Sequence, residues 1–228
     1  MLFTEEPKDQ AYERMMIGIP NFKPRGHGTK ILHCFDHTPE SCDCSLCCYY
    51  SRKNGCMLER CPCIKERIKA GAATFREMME ETVIRIRSPK FRERLEKYME
   101  ESERDPMKYR NAKHEQVFLE AIRKLNPNNN AVLAAVYLLT ADFKLWNQAR
   151  WQVESNKIRF ENFKPKSSTE NGYVLYCCAK DLCLGTRHIT VHDMTDSNLI
   201  PPTLFCLICN AMAIRRFGLE VFQCMRGI

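Results

Sequence analysis

A chain of 228 residues that is 44% hydrophobic and 28% charged has the apolar content for a buried core and lacks a disordered composition. The net charge is +7, and residues 106–228 hold most of it, with 16 Lys and Arg against 10 Asp and Glu. The longest apolar run, 131–141, is about half of what a membrane span needs, and MLFTEEPKDQ has neither the basic start nor the apolar stretch of a secretory signal. The expectation is a cytoplasmic chain without a membrane segment.

In chain order, residues 1–32 mix Pro, Gly and charge (IPNFKPRGHGTK) and predict an extended arm, ordered where Met15, Met16, Ile17 and Ile19 meet a surface. Residues 33–105 form a predicted cysteine-rich module followed by two helices. Eight of the 14 cysteines lie from Cys34 to Cys63. In a small secreted protein that density means disulfides; in a reducing compartment clustered thiols bind metal instead. Zinc takes four soft or imidazole ligands at tetrahedral corners, and a C-x2-C turn supplies two of them from one loop. Cys44 and Cys47 have that spacing. Asn54-Gly55 is a hairpin-turn dipeptide that returns the chain to Cys56. Cys61 and Cys63 stand at the mouth of the next helix, where backbone N–H groups favour a thiolate. The expected tetrad is Cys44, Cys47, Cys56 and Cys61, with Cys63 as substitute for the last. Cys34, Cys42, Cys48, His33 and His37 make a second site or none. An iron–sulfur cluster accepts the same four thiolates and is the alternative cofactor. Four cysteines leave no open position for water, which favours structural over catalytic zinc.

After Pro62, Ile64, Ile68, Phe75, Met78, Met79 and Val83 recur at helical spacing. Ser88-Pro89 starts a second helix with Phe91, Leu95, Tyr98 and Met99 on one face, and Glu93–Lys97 and Glu100–Arg104 as i,i+4 pairs. Pro106 ends it and sets the expected boundary of the module. Residues 106–228 predict a compact helical domain. Its first helix starts at Ala112, and NPNNN breaks it before a helix that is apolar nearly all round, with Asn130 as its cap. Residues 143–153 continue after a kink. Residues 173–184 fit strand or helix and are read as helix; 203–217 close the domain with Gly218 at the C-cap. Six cysteines here sit among apolar neighbours and read as small hydrophobes.

Cys178, Cys183, His188 and His192 have finger-like intervals but no proper knuckle. No Gly-rich phosphate loop, H-E-x-x-H, G-x-S-x-G or deaminase pattern occurs, so no catalytic residue is assigned. Lys157, Arg159, Lys164 and Lys166 alternate with Phe160 and Phe163, a composition that suits phosphates and stacked bases. The competing reading is a loop pinned to the core by its phenylalanines. Arg52 and Lys53 stand on the expected hairpin tip, within reach of phosphate, and Arg215 and Arg216 answer the dipole of the last helix.

The strings YLLTAD (137–142), STENGY (168–173), CCAKDL (177–182), LGT (184–186), IPP (200–202) and LICNAMAIRRFGL (207–219) resemble an uncharacterised family of small proteins carried by integrative and conjugative elements of gut Clostridia. The G-C-x4-C-x-C stretch from Gly55 resembles the N-terminal part of that family. The resemblance covers about two thirds of the chain and implies a setting, a mobile element inside a bacterium, without assigning residue roles. The fold expected is mainly α: a zinc-bound cysteine module with a short hairpin, a helical pair and a compact helical domain. The function expected is that of a non-enzymatic accessory protein binding nucleic acid or a nucleoprotein such as a host defence effector. The alternative is a protein-directed, anti-CRISPR-like inhibitor of host defence, and an enzyme ranks third.

Overall fold

A computed structural model describes residues 11, 12, 14–16, 18, 47, 53, 63–102, 105–166 and 169–225, with the backbone alone at 50, 51, 55 and 56. The chain divides into two compact units, Met1–Asp36 and His37–Ile228. In the first, Ala11, Tyr12, Arg14, Met15 and Met16 are helical, and the Gly18 N–H donates to the Arg14 and Met15 carbonyls. Within the extended arm expected over 1–32, these described residues are helical, and the rest of the arm, Gly18 apart, lies outside the described residues. The run AYERMM holds no breaker, and Ala, Glu, Arg and Met are good helix formers.

The second unit is mainly helical. The expected hairpin is present: β1 (Tyr50–Ser51) pairs antiparallel with β2 (Gly55–Cys56), Tyr50 opposite Cys56. The helical periodicity after Pro62 is split into α1 (Ile64–Ala70) and α2 (Phe75–Thr82). Gly71, at φ 72°, closes α1 in the left-handed region that a side chain with a Cβ resists. Thr74 then opens α2 with a capping box: its hydroxyl accepts from the Glu77 N–H (3.2 Å) while the Glu77 carboxylate accepts from the Thr74 N–H (2.8 Å). The T-x-x-E signature was present in the sequence beneath a continuous apolar stripe. α3 (Pro89–Glu101) starts at Ser88 as expected, with the Ser88 hydroxyl accepting from the Phe91 N–H. On its wet face Lys97 pairs forward with Glu101 (3.9 Å) rather than back with Glu93.

The remaining helices are α4 (Ala112–Ile122), α5 (Asn130–Thr140), α6 (Phe143–Ala149), α7 (Glu170–Leu184) and α8 (Pro202–Phe217). Residues 173–184 are helix, as read from their spacing, and α7 ends at Gly185 (φ 74°). Asn129, not Asn130, caps α5, its side chain accepting from the Val132 N–H (3.2 Å). The kink before residue 143 is a full break: Asp142 accepts from the Leu145 N–H (2.9 Å) and caps a new helix.

α5 is the central element, buried from Val132 to Thr140, and it packs chiefly on α7 and α8. An all-apolar helix has no wet face to offer, so it is stable only when surrounded. The boundary expected at Pro106 does not separate two cores. Ile68, Met78, Met79, Phe91 and Leu95 belong to the same buried cluster as Tyr137, Leu139, Phe205 and Ile214. Polar ties cross the same line. The buried Asn210 side chain accepts from the Tyr98 hydroxyl (3.0 Å) and donates to the Met107 carbonyl (2.7 Å), so α3, α8 and the 106–110 connection share one anchor. Arg216, expected to answer the α8 dipole, donates to the buried Glu81 of α2, and Arg215 donates to the Leu182 carbonyl (3.0 Å). α1–α3 have amphipathic faces that need a partner: α2 packs on α8, α1 packs on the turn Leu219–Gln223 that follows it, and α3 meets α8 through Phe91 on Phe205 and Tyr98 on Asn210.

Candidate nucleic-acid interface

α6 is a two-turn helix with its apolar residues on one side. Leu145 and Ala149 are buried and Trp146 is half-buried against the core. The chain continues into a 3-10 turn, Arg150–Gln152. Phe143, Lys144, Asn147, Arg150 and Trp151 are left facing solvent, at the i, i+4, i+7 and i+8 spacing of one helix face. Large aromatics on that face are unusual: Phe143 is 48% exposed and Trp151 75%. Each carries a cation over its ring, the Lys113 ammonium 3.5 Å from the Phe143 centroid and the Arg150 guanidinium 4.7 Å from that of Trp151. No acidic residue occurs between Phe143 and Val153.

The basic stretch 157–166 follows. Val153 and Ile158 form an antiparallel bridge, and the Glu154 N–H donates to the Lys157 carbonyl (2.9 Å), so 153–158 is a tight turn. The Glu154 carboxylate sits inside it, 3.5 Å from the Lys157 ammonium and in contact with the Arg159 guanidinium. Phe160 and Phe163 are buried, edge-on to Tyr176 of α7 at 5.8 and 5.2 Å between ring centres, and the Tyr176 hydroxyl donates to the Phe163 carbonyl (3.0 Å). The core-pinned reading of these phenylalanines holds. Lys164 and Lys166 remain exposed. The Gln148 amide binds Lys166 from both sides, accepting from its N–H (2.8 Å) and donating to its carbonyl (3.2 Å). One glutamine thereby fixes the end of the predicted basic segment against the solvent face of α6. The sequence signal that was missed is the pair of aromatics at positions 143 and 151, set apart from the buried stripe by helical phase.

The other candidate residues are spread out. Arg52, Cys44 and Cys61 lie outside the described residues, as do Cys34, Cys42, Cys48, His33 and His37 and the side chain of Cys56. Lys53 is exposed in the hairpin turn, and Cys47 is half-buried. Cys63 is the N-cap residue of α1, with its carbonyl accepting from the Arg67 N–H (3.0 Å). Among the described residues no three His, Cys, Asp or Glu side chains are grouped to hold a metal. Of the weak finger-like set, Cys178 is buried, and His188 is held by Asp181 at 2.7 Å. Asp181 also accepts from the Thr186 hydroxyl (2.7 Å) and the Ile189 N–H (2.8 Å). Burial pushes its carboxyl up, but these bonds outweigh that and hold it below its ordinary value. Asp181 is thus the anchor of the turn that leaves α7.

Burial pushes the thiols of Cys177, Cys178, Cys183, Cys206, Cys209 and Cys224 up, Cys206 to about 12, so they stay protonated at neutral pH and are poor nucleophiles. A cleft of 880 Å³ lies between α3 and the start of α8. Its central cation, Arg94, is consumed by the fold: it donates to the Met194 (2.7 Å) and Ile200 carbonyls and lies over Phe205 at 4.5 Å. No helix of the described residues is long and apolar enough to cross a membrane. Set against known protein families, curated proteins and solved structures, the chain matches none of them.

Proposed function

We propose that the protein is a non-enzymatic nucleic-acid-binding protein, acting on nucleic acid or a nucleoprotein, and that the solvent face of α6 is its contact surface. One observation carries this: Phe143 and Trp151 are exposed on a single face, each beside a cation, with Lys144 and the tethered Lys166 next to them. Cations attract phosphate and release counterions, and aromatic rings offer stacking surface to bases. The setting implied by the sequence resemblance, a bacterial mobile element, suits such an accessory role. Gel-shift titration of the full chain with mixed single- and double-stranded nucleic acid at about 50 and about 200 mM salt tests it, with an expected steep loss of affinity at the higher salt. Absence of any shift at the lower salt overturns it.

A second reading, a protein-directed inhibitor of a host defence effector, is favoured by the N-terminal unit. Tyr12, Met15 and Met16 are exposed at i, i+3 and i+4, the anchor spacing of a helix that docks in a partner's groove. Such a protein leaves naked nucleic acid unshifted.

We also propose zinc on Cys44, Cys47, Cys56 and Cys61, with Cys63 in place of the last, and an iron–sulfur cluster as the alternative. Seven cysteines from Cys42 to Cys63 and the antiparallel return of the chain at Gly55–Cys56 support it. Elemental analysis of reduced protein is expected to give at least one zinc per chain; neither zinc nor iron overturns the assignment.

A further inference from the structure

The two exposed rings point to a more specific ligand than nucleic acid in general. We infer that the α6 face takes single-stranded nucleic acid, with Trp151 and Phe143 as stacking platforms for unpaired bases; this rests on the nucleic-acid reading above. In a duplex the base faces are covered by their neighbours, and a protein surface meets only base edges and phosphates. Reading a duplex would call for hydrogen-bonding side chains reaching into a groove. Here two exposed positions of the face are rings instead. Each ring has a cation over it, Arg150 over Trp151 and Lys113 over Phe143, and the two residues keep an exposure of 75% and 48% respectively. A base that stacks there completes a cation–ring–base sandwich, favourable for any of the bases because each has a π-face.

The spacing of the rings sets a length. Six α-helical steps and two 3-10 steps separate residues 143 and 151, about 13 Å along the axis. A stacked strand advances about 3.4 Å per nucleotide, so the rings are spanned by about four nucleotides. Lys144 is exposed on the same helix and the backbone of the exposed Lys166 is held to Gln148 by paired bonds, so both would serve the phosphates of such a strand. The solvent face bears no carboxylate of its own, since Asp142 is turned into the helix as its cap and residues 143–153 contain no acid. The ligand class is therefore an unpaired strand of four or more nucleotides, with little sequence preference.

The test is fluorescence anisotropy of the full chain with labelled oligothymidylate and oligouridylate of about 12 nucleotides and a duplex of equal length, at about 50 mM salt. Both single strands or either one are expected to bind more tightly than the duplex. Trp151→Ala is expected to weaken single-strand binding about tenfold or more, and Trp151→Phe to restore most of it. Trp151 is exposed, so a melting curve matching that of the parent shows that the variant is folded. If the duplex binds as tightly as the single strands and Trp151→Ala changes neither, the stacking inference falls while the nucleic-acid reading stands. If no probe binds, both fall.

Discussion

Two neighbouring stretches of this chain, 143–151 and 157–166, are built from the same materials, and the fold uses them in opposite ways. Each mixes cations with large aromatics and neither has secondary structure beyond a short helix. In 157–166 the aromatics face inward onto Tyr176 and two of the four cations are held by Glu154. In 143–151 Trp146 packs on the core, while Phe143 and Trp151 face outward and carry cations over their rings. Composition gives both stretches the capacity to bind a polyanion. Which one is left to do so depends on what each ring finds within reach, and the rings of 157–166 find Tyr176 of α7.

The largest effect expected from this contrast is on stability. Truncating Phe160 or Phe163 to Ala removes a buried ring from a packed site and is expected to cost about 3–4 kcal/mol in urea denaturation. Trp151→Ala removes a larger ring and is expected to change stability by under about 0.5 kcal/mol. Equal losses would mean that Trp151 packs on something and is not a free surface.

The next effect is on pH dependence and tests whether the scaffold of the exposed face is rigid near neutrality. His114, at the start of α4, is buried; it accepts from the Arg110 N–H (3.0 Å) and contacts the Tyr137 carbonyl (2.9 Å) through its other nitrogen. Burial pushes its pKa down from 6.5 to about 4, with the nearby Arg110 adding to the fall and the Tyr137 bond opposing it. The unfolded chain therefore binds more protons between these values. Stability from this group is complete above about pH 6.5 and is lost as pH falls toward 4, about 2 kcal/mol between pH 7.5 and 5. Chemical denaturation at the two pH values measures it, and His114→Gln is expected to flatten the difference. A slope that survives in that variant assigns the dependence elsewhere.

Smaller again is the effect on ligand affinity. Lys144→Ala and Lys166→Ala are each expected to weaken nucleic-acid binding a few-fold and to lower its salt slope by about one. Lys157→Ala and Arg159→Ala are expected to do less, because Glu154 already neutralises that corner. Both pairs lie at the surface, so titrations at matched salt compare them without a folding penalty. If the second pair matters more than the first, the interface lies on 153–159 and the α6 face is decoration.

Much of this arrangement was legible in the sequence because local signals carry it. Ser88-Pro89 and Gly218 mark helix ends whose chemistry is complete within a few residues, and the apolar run at 131–141 has no stable state except a buried one. The Asn54-Gly55 hairpin belongs with these. The α1–α2 break was also written locally, in Gly71 and in Thr74 to Glu77, but an apolar stripe that stays in phase across a turn conceals it. The helical state of residues 11, 12 and 14–16 was hidden in the opposite way, by the prolines and glycines that follow them.

The rest depended on partners distant in sequence. That α1–α3 share a core with α8 follows from Tyr98 meeting Asn210 and Glu81 meeting Arg216, contacts across more than a hundred residues that no spacing rule anticipates. The same holds for the candidate surface. Residue type allowed Phe143, Trp151, Phe160 and Phe163 all to be either core or contact; helical phase marked the first two, and tertiary packing assigned all four. Tyr176 on α7 took the last two, and the first two stay exposed beside Lys113 and Arg150. The sequence by itself determined where the helices begin and end and which one must be central, because those follow from hydrogen bonds and periodicity within a dozen residues. The tertiary structure alone decided which rings and which charges are left for a ligand, because exposure is a property of what packs nearby and not of the residue itself.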